Sequence, residues 1–332
     1  MEYRKVGRSG LFLSEFSLGS WVTFSNQLDF PSATNIMALA FERGVNFYDN
    51  AETYGDGNSE IIMGKVLAKL NWSRDSFCVS SKVLWGGNRP TQKGLSRKHI
   101  VDACHNALKR LQVEYLDIFY CHRPDLDTPI LETVVTMNHL ITQGKVLYWG
   151  TSEWPPELIV KANEVAKQNG LVGPNVEQPE YNMFNRQKVE KDYLYLYEDM
   201  GLGLTTWSPL ASGVLTGKYN ESIPSDSRLS LLNFTWLQSL VLSDKGKEKI
   251  SKVKLLSSLA QDYNFTTTQL SLLWCLQNKH VSTIILGASK LTQLEENLNV
   301  LDFKNKYTAE LHTEIEKILN NTPLQEIDWK NA

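Results

Sequence analysis

The sequence predicts an α/β chain folded as a closed (β/α)8 barrel, and three observations predict it. Short apolar or β-branched runs alternate with longer amphipathic segments, the signature of βαβ units and a parallel sheet. Eight such runs follow one another, each trailed by a further segment, so the repeat closes on itself. The glycine fingerprint of an open doubly wound sheet is missing: Gly201-Leu202-Gly203 lacks a third glycine and precedes its strand instead of following it.

Tyr3 to Val6, a turn over Gly7 to Gly10, and Leu11 to Leu13 read as a β-hairpin placed to plug the bottom of the barrel. The barrel strands follow as Phe16 to Ser20, Val45 to Asp49, Phe77 to Lys82, Leu116 to His122, Val146 to Ser152, Asn175 to Gln178, Gly203 to Trp207 and Thr283 to Leu286. Between them Ser32 to Arg43, Arg97 to Leu111, Pro129 to Gln143, Glu157 to Gln168 and Thr267 to Asn278 repeat their apolar residues at three- and four-residue steps, as one buried helix face requires. Pro129 and Pro155-Pro156 suit helix starts, because proline has no N–H to lose in a first turn. The rhythm breaks once, from Pro209 to about Leu242, and a connection of that length is usually a lid or binding loop. Tyr307 to Leu319 forms a further C-terminal helix before a polar tail. At 332 residues the chain is within the range of one barrel domain, expected over 1–332.

The formal charge is −3 with lysines and arginines scattered, which leaves no electrostatic footprint for nucleic acid or an acidic membrane surface. The four cysteines, Cys78, Cys104, Cys121 and Cys275, form no CxxC pair and read as buried reduced thiols. The first residues lack an apolar h-region, and no run is long and apolar enough to span a bilayer, so a cytoplasmic protein is expected.

In such a barrel the active site lies at the C-terminal ends of the strands. The residues expected there are Gly19, Asp49, Lys82, His122, Ser152, Gln178, Trp207-Ser208 and Gly287, mostly polar or ionisable where chance would place aliphatic side chains. Tyr54 lies five residues past Asp49 and can turn into the same pocket. A tyrosine of ordinary pKa, about 10, is a poor acid, and the Lys82 ammonium is expected to lower it. Asp49 would keep Lys82 protonated and oriented, and His122 would donate to a substrate oxygen as negative charge develops. Each has a structural alternative: a cap for Asp49, a surface aromatic for Tyr54, a buried ion pair for Lys82, a satisfied core histidine for His122. Four such accidents on one rim are a poor account of the set. No HExxH or ligand-like spacing joins His99, His105, His122, His139, His280 and His312, so no metal is expected. Neither Ser152 nor Ser208 stands in a GxSxG elbow.

With these residues in place the chain resembles the aldo-keto reductase superfamily over nearly its whole length, most of all the branch of voltage-gated potassium channel β subunits and their plant and microbial relatives. The resemblance rests on Gly19-Ser20-Trp21, Asp49-Asn50-Ala51-Glu52-Thr53-Tyr54, Lys82, Cys121-His122-Arg123-Pro124-Asp125, Tyr148-Trp149-Gly150-Thr151-Ser152, Val176-Glu177-Gln178-Pro179-Glu180-Tyr181-Asn182, Trp207-Ser208-Pro209-Leu210 and Gly287-Ala288-Ser289 with Gln293, Glu296 and Asn297. It implies a TIM barrel with NADPH across its mouth and hydride transfer to an aldehyde or ketone, the small carbonyl substrate. It also implies cofactor contacts from Gly19, Ser20, Trp21, Asp49 and Gly287. Ser152 and Gln178 would hold the nicotinamide amide, with Asn182 near them. Trp207, Ser208, Pro209, Leu210, Ala211, Gly213 and Lys218 would line the pyrophosphate, and Arg228 with Ser289 would meet the 2′-phosphate. Gln293, Glu296 and Asn297 would surround the adenine and its ribose. Ser289 to Gln293 would open a helix whose amides favour phosphate, and arginine suits phosphate because its planar donors pair with two oxygens.

Two departures from the channel-subunit pattern stand out. Those relatives carry asparagine at the position of His122 and arginine at that of Glu153. His122 restores the general reductase arrangement, while Glu153 puts an acid beside the nicotinamide-contacting Ser152. Three functions therefore compete: a carbonyl reductase in which Trp21, Tyr54, Trp85 and His122 form a pocket with an aromatic wall; a redox-sensing channel subunit with vestigial catalysis; and a lyase or aldolase using Lys82 as a Schiff-base nucleophile. Homotetramers are common in the branch resembled, and a membrane channel is a partner there by analogy alone.

Overall fold

The computed structural model describes residues 1–21, 23–24, 27–225, 227–230 and 235–325. The chain divides into two compact units, the first formed by Met1–Pro179, Tyr195–Trp207 and His280–Leu298, the second by Glu180–Leu194, Ser208–Lys279 and Asn299–Ala332.

The first unit opens with the hairpin of β1 (Tyr3–Lys5) and β2 (Phe12–Ser14), and then builds the barrel. Its strands are β3 (Phe16–Gly19), β4 (Phe47–Asp49), β5 (Cys78–Val83), β6 (Leu116–Cys121), β7 (Val146–Thr151), β8 (Val176–Glu177), β9 (Gly203–Thr206) and β10 (Val281–Leu286). They pair in chain order, all parallel, and β10 closes the ring on β3. Every residue of β5, β6 and β10 is buried. That two-sided burial is why these strands read as continuous β-branched and apolar runs.

Most strands end one residue before the position expected from sequence. Ser20, His122, Ser152, Gln178 and Trp207 are the first residues past β3, β6, β7, β8 and β9, whereas β5 runs one residue beyond Lys82. The ladder nevertheless continues through their amides: His122 N donates to Val83 O at 3.0 Å, Ser152 N to Cys121 O at 3.0 Å and Gln178 N to Thr151 O at 2.8 Å. These residues are held almost as firmly as strand residues while their side chains stand at the rim.

The helices outside the barrel are α1 (Phe30–Glu42), α2 (Asn58–Leu70), α3 (Arg97–Leu111), α4 (Ile130–Thr142), α5 (Pro156–Gln168), α6 (Leu194–Asp199) and α10 (Leu291–Asn299). Asp29 caps α1 by accepting from Ser32 N at 2.9 Å, and Ser96 caps α3 by accepting from His99 N at 3.3 Å. Helix α2 carries no strong sequence signal, and its one glycine decides its packing: a Cβ on Gly64 would stand 2.2 Å from Arg110 O.

At the barrel bottom Val6 and Leu13 of the hairpin segment pack with Phe47, Cys78, Ile118 and Val176. Gly7 is left-handed, and a Cβ on Gly203 would lie 2.5 Å from Gly7 N. Arg8 N donates to Gly201 O at 2.9 Å. The Gly201-Leu202-Gly203 run thus lets the hairpin approach the first residues of β9, a steric role unrelated to phosphate.

The second unit holds α7 (Thr235–Leu242), α8 (Asp244–Asp262), α9 (Thr267–Leu276) and α11 (Ala309–Leu319), with a π-helical turn at Lys188–Asp192. Arg186 is its polar anchor, pairing with Glu190 at 2.7 Å and Glu316 at 2.6 Å, while Trp274 Nε1 donates to Glu316 at 3.0 Å. Among the described residues no helix is long and apolar enough to cross a membrane.

Candidate active site

Strand β4 delivers Asp49 to the rim and β5 delivers Lys82, and Lys82 has no solvent exposure. Its Nζ donates to Asp49 Oδ2 at 2.6 Å, to Asn50 O at 2.8 Å and to Tyr54 Oη at 3.1 Å. All three ammonium hydrogens are therefore used, which is what a buried ammonium requires. Burial alone would lower the Lys82 pKa, but the Asp49 carboxylate and Tyr54 raise it above its ordinary value. Asp49 Oδ1 in turn accepts from Ser80 Oγ at 2.8 Å and Gln178 Nε2 at 3.0 Å.

Tyr54 is carried on the loop between β4 and α2, and Glu52 fastens that loop. Glu52 N donates to Lys82 O at 3.2 Å, and the Glu52 carboxylate accepts from Leu84 N at 2.7 Å and faces His99 Nε2 at 3.4 Å. The loop is thus tied to the segment after β5 from both sides. Lys82 acts on the tyrosine in the expected sense, but the expected net depression does not occur. Burial pushes the phenol up; Lys82 lowers it, but Asp49 opposes that effect, and the net direction is upward. Burial of the phenol, more than the Asp49 carboxylate, outweighs the ammonium.

His122 completes the group. Its ring meets Tyr54 edge-on at 5.8 Å between centroids and Trp85 at 5.1 Å. Burial, then the Lys82 and Arg123 charges, hold its pKa well below the ordinary histidine range, so the imidazole is neutral at physiological pH. Its Nδ1 is buried with no hydrogen-bond partner among the described residues. Tyr54 and His122 border a cleft of about 540 Å³, open mouth included, lined also by Trp21, Thr53, Trp85, Arg123, Ser152, Gln178 and Trp207, while Asp49 and Lys82 lie buried behind Tyr54.

The residues expected around a dinucleotide fall in both units. In the first unit a Cβ on Gly19 would meet the Ile285 side-chain methyl Cγ2 at 2.5 Å, so a larger residue there would displace that side chain. Ser20 Oγ donates to Asp49 O at 3.0 Å. Ser152 Oγ donates to Gln178 O at 2.8 Å and Trp207 Nε1 donates to Glu153 Oε1 at 3.0 Å. Gly287 has open space where a Cβ would stand. Beyond it, Ser289 N and Oγ both donate to Gln293 Oε1, at 3.1 and 3.2 Å, just ahead of α10. Gln293, Glu296 and Asn297 share one face of that helix by their spacing.

In the second unit Ser208, Ala211, Ser212 and Gly213 all have left-handed backbone, with φ of 58°, 46°, 57° and 93°. Three non-glycine residues in that region are an uncommon concentration of strain, of the kind that clusters at ligand sites. Lys218 lies against Gly213, where a Cβ would stand 2.9 Å from its Nζ. Pro209 and Leu210 precede that loop, and Asn182 Nδ2 donates to Ser208 O at 3.0 Å. The Arg228 side chain lies outside the described residues. A serine hydroxyl at a helix start, in the first unit, and an ammonium over a glycine turn, in the second, are each donors of the type phosphates require.

Several residues of the site were not singled out from sequence. Ser80 and Thr205, one layer beneath the rim, complete the hydrogen bonding of Asp49 and Gln178. Their signal is a hydroxyl inside an otherwise apolar strand. Thr53 and Arg123 also line the cleft, and Arg123 could have been found by the strand-end criterion that found His122. Among the described residues no group of three or more His, Cys, Asp or Glu side chains gathers where it could hold a metal ion.

Residues 15–320 match the model of the Aldo/keto reductase family. Over 324 residues the chain is 48% identical to a protein of Arabidopsis thaliana and to one of Oryza sativa subsp. japonica, each named a probable voltage-gated potassium channel subunit beta, the match covering 97% of this chain and 98% of either relative.

Proposed function

Because the chain belongs to the aldo/keto reductase family, a family of oxidoreductases that use nicotinamide dinucleotides, we propose that it reduces aldehydes and ketones to alcohols with NADPH, Tyr54 donating the proton. The bound dinucleotide supplies the hydride. Ser152 and Gln178 would hold its carboxamide; Ser208, Pro209, Leu210, Gly213 and Lys218 its pyrophosphate; Arg228 and Ser289 the 2′-phosphate; Gln293, Glu296 and Asn297 the adenosine.

The observation that carries the reading is the Lys82 ammonium held between Asp49 Oδ2 and Tyr54 Oη. Tyr54 keeps its proton at neutral pH, since its pKa lies above the ordinary value, and that is the form an acid must have before turnover. As the proton leaves for the carbonyl oxygen, the growing phenolate already accepts a hydrogen bond from Lys82. No reorganisation is needed at that moment, which is the advantage of a preorganised cation. A neutral His122 can offer an N–H to the same oxygen as it becomes negative. Trp21 stands 6.4 Å from Tyr54 and 6.1 Å from Trp207, ring to ring, an aromatic wall against the organic part of the substrate.

The test is loss of nicotinamide absorbance with a panel of aromatic and dicarbonyl aldehydes, beside a titration of NADPH binding by tryptophan fluorescence. Binding with turnover supports the reductase. Tyr54→Phe should then cut kcat by about 10²- to 10⁴-fold, the usual share of a general acid, and leave cofactor binding intact. A second reading is favoured by the names of the 48% identical relatives: a redox-sensing channel subunit in which catalysis is vestigial. Tight NADPH binding with negligible turnover, together with stable co-purification with a channel domain, would select it.

A further inference from the structure

The cleft has a charged side chain that the proposed proton transfer does not use. Arg123 follows His122 directly and so leaves the same strand end. Its Nη1 donates to His122 O at 2.5 Å and to Ser152 Oγ at 3.2 Å, which pins the guanidinium at the cleft wall. Its carbon sits 5.8 Å from the centre of the Trp85 ring, itself part of that wall. Among the described residues Nη2 and Nε have no acceptor and no carboxylate pairs with the group. Guanidinium donors lie in a planar fork that matches the two oxygens of a carboxylate.

Neither nearby carboxylate is bonded to the guanidinium: Asp49 is closed on Lys82 at 2.6 Å, and Glu153 accepts from Trp207 Nε1 at 3.0 Å. The Arg123 charge is felt inside the cleft: after burial and Lys82 it helps to hold the His122 pKa down, and it opposes slightly the rise at Tyr54. A cleft with aromatic walls, a proton donor and a guanidinium with unused donors is built for a molecule with an apolar body, a carbonyl and an anion. We propose that Arg123 makes this site select carbonyl compounds that also carry a carboxylate, holding the carboxylate by its free donors while Trp21 and Trp85 cover the body. The proposal rests on the reductase reading and names its substrate class.

The test compares kcat/KM for para- and meta-carboxybenzaldehyde with the corresponding methyl esters, which keep the aldehyde and the ring but lose the charge. For at least one of the two isomers the acid should be preferred by about 10-fold or more, as expected of a hydrogen bond to a charged group. Arg123→Met should bring that ratio near one, Arg123→Lys should keep part of it, and NADPH affinity should change less than the ratio. The ratio is the readout because any common effect on the proton transfer cancels within it. Equal use of acids and esters by the native protein would overturn the proposal, as would a preference that survives Arg123→Met. A variant that loses NADPH affinity and keeps the ratio would instead assign the guanidinium to the cofactor. Should Arg123→Met fail to fold, inhibition of the native protein by benzoate and benzamide decides, with tighter benzoate inhibition expected and equal inhibition counting against. If no aldehyde is reduced at all, the reductase reading fails, and benzoate against benzamide titrated by fluorescence on the NADPH-loaded protein still reports whether the cleft takes a carboxylate.

Discussion

A lysine with no exposure keeps its proton only while a carboxylate stands beside it, and Lys82 has Asp49 Oδ2 at 2.6 Å. Removing one partner of such a pair leaves the other as an uncompensated buried charge, at a cost of about 3–5 kcal/mol. Asp49→Asn is therefore expected to lower unfolding free energy by that amount in denaturant titration; a loss under about 1 kcal/mol would mean that Lys82 finds another partner or gives up its proton. Because the Lys82 pKa is raised, the pair's contribution is fully present below the unfolded lysine pKa, about 10.4, and fades only as pH climbs through the higher folded value. The same directions set the rate profile. Tyr54 is protonated up to at least its ordinary value and His122 is neutral well below its own. At saturating cofactor and substrate, kcat for reduction should be level from about pH 7 to 9. An inflection in that range that vanishes in His122→Asn would show that the histidine titrates during turnover. The sequence located all four of these side chains because rim residues of polar type are rare by chance, but it misjudged the sign of the Tyr54 shift. A pair of residue letters shows that a lysine can reach a tyrosine, and not how deeply the phenol is buried, which is the largest cause of its rise.

At the scale of elements the strands were the most legible part, since burial on both faces leaves an apolar run that only a parallel sheet explains. Their ends were displaced by one residue because the parallel ladder continues through amides such as Ser152 N after the strand geometry has stopped. Helix α2 was the least legible. Its segment holds Gly64, which lowers helix propensity by about 1 kcal/mol relative to alanine, and its reason is a contact that no local pattern reveals. A Cβ at Gly64 would stand 2.2 Å from Arg110 O and 2.7 Å from Leu111 C, both backbone atoms that cannot rotate away. Gly64→Ala should therefore destabilise, by about 1–3 kcal/mol or more for overpacking, in spite of the better helix former. Gly10, with nothing within 4 Å of its Cβ position, is the control, and its alanine variant should stay within about 0.5 kcal/mol. If thermal melts show Gly64→Ala to be neutral, α2 can shift away from α3 and the close approach is not required.

On the scale of the barrel as a whole, stability and chemistry lie at opposite ends. The hairpin seals one end, where Leu13 has no exposure and packs in the cluster of Val6, Phe47, Cys78, Ile118 and Val176. The cleft with Tyr54 and His122 is at the other, past the C-terminal ends of the strands. This polarity was readable from the order of elements alone, because a parallel ring puts all its strand ends on one face. The role of Gly201 and Gly203 was not, since their backbone approach to Gly7 and Arg8 joins segments nearly 200 residues apart, a contact local pattern cannot show. The separation can be tested with Leu13→Ala. Deleting a fully buried leucine costs about 2–5 kcal/mol, depending on how far its neighbours collapse into the space. The loss should appear in denaturant midpoint, while KM for aldehyde and the fluorescence-detected affinity for NADPH stay at their native values at temperatures where the variant is folded. A matching loss of affinity would mean that the seal at the bottom sets the spacing of Asp49 and Lys82 at the top, through the strands β4 and β5 that join the two ends.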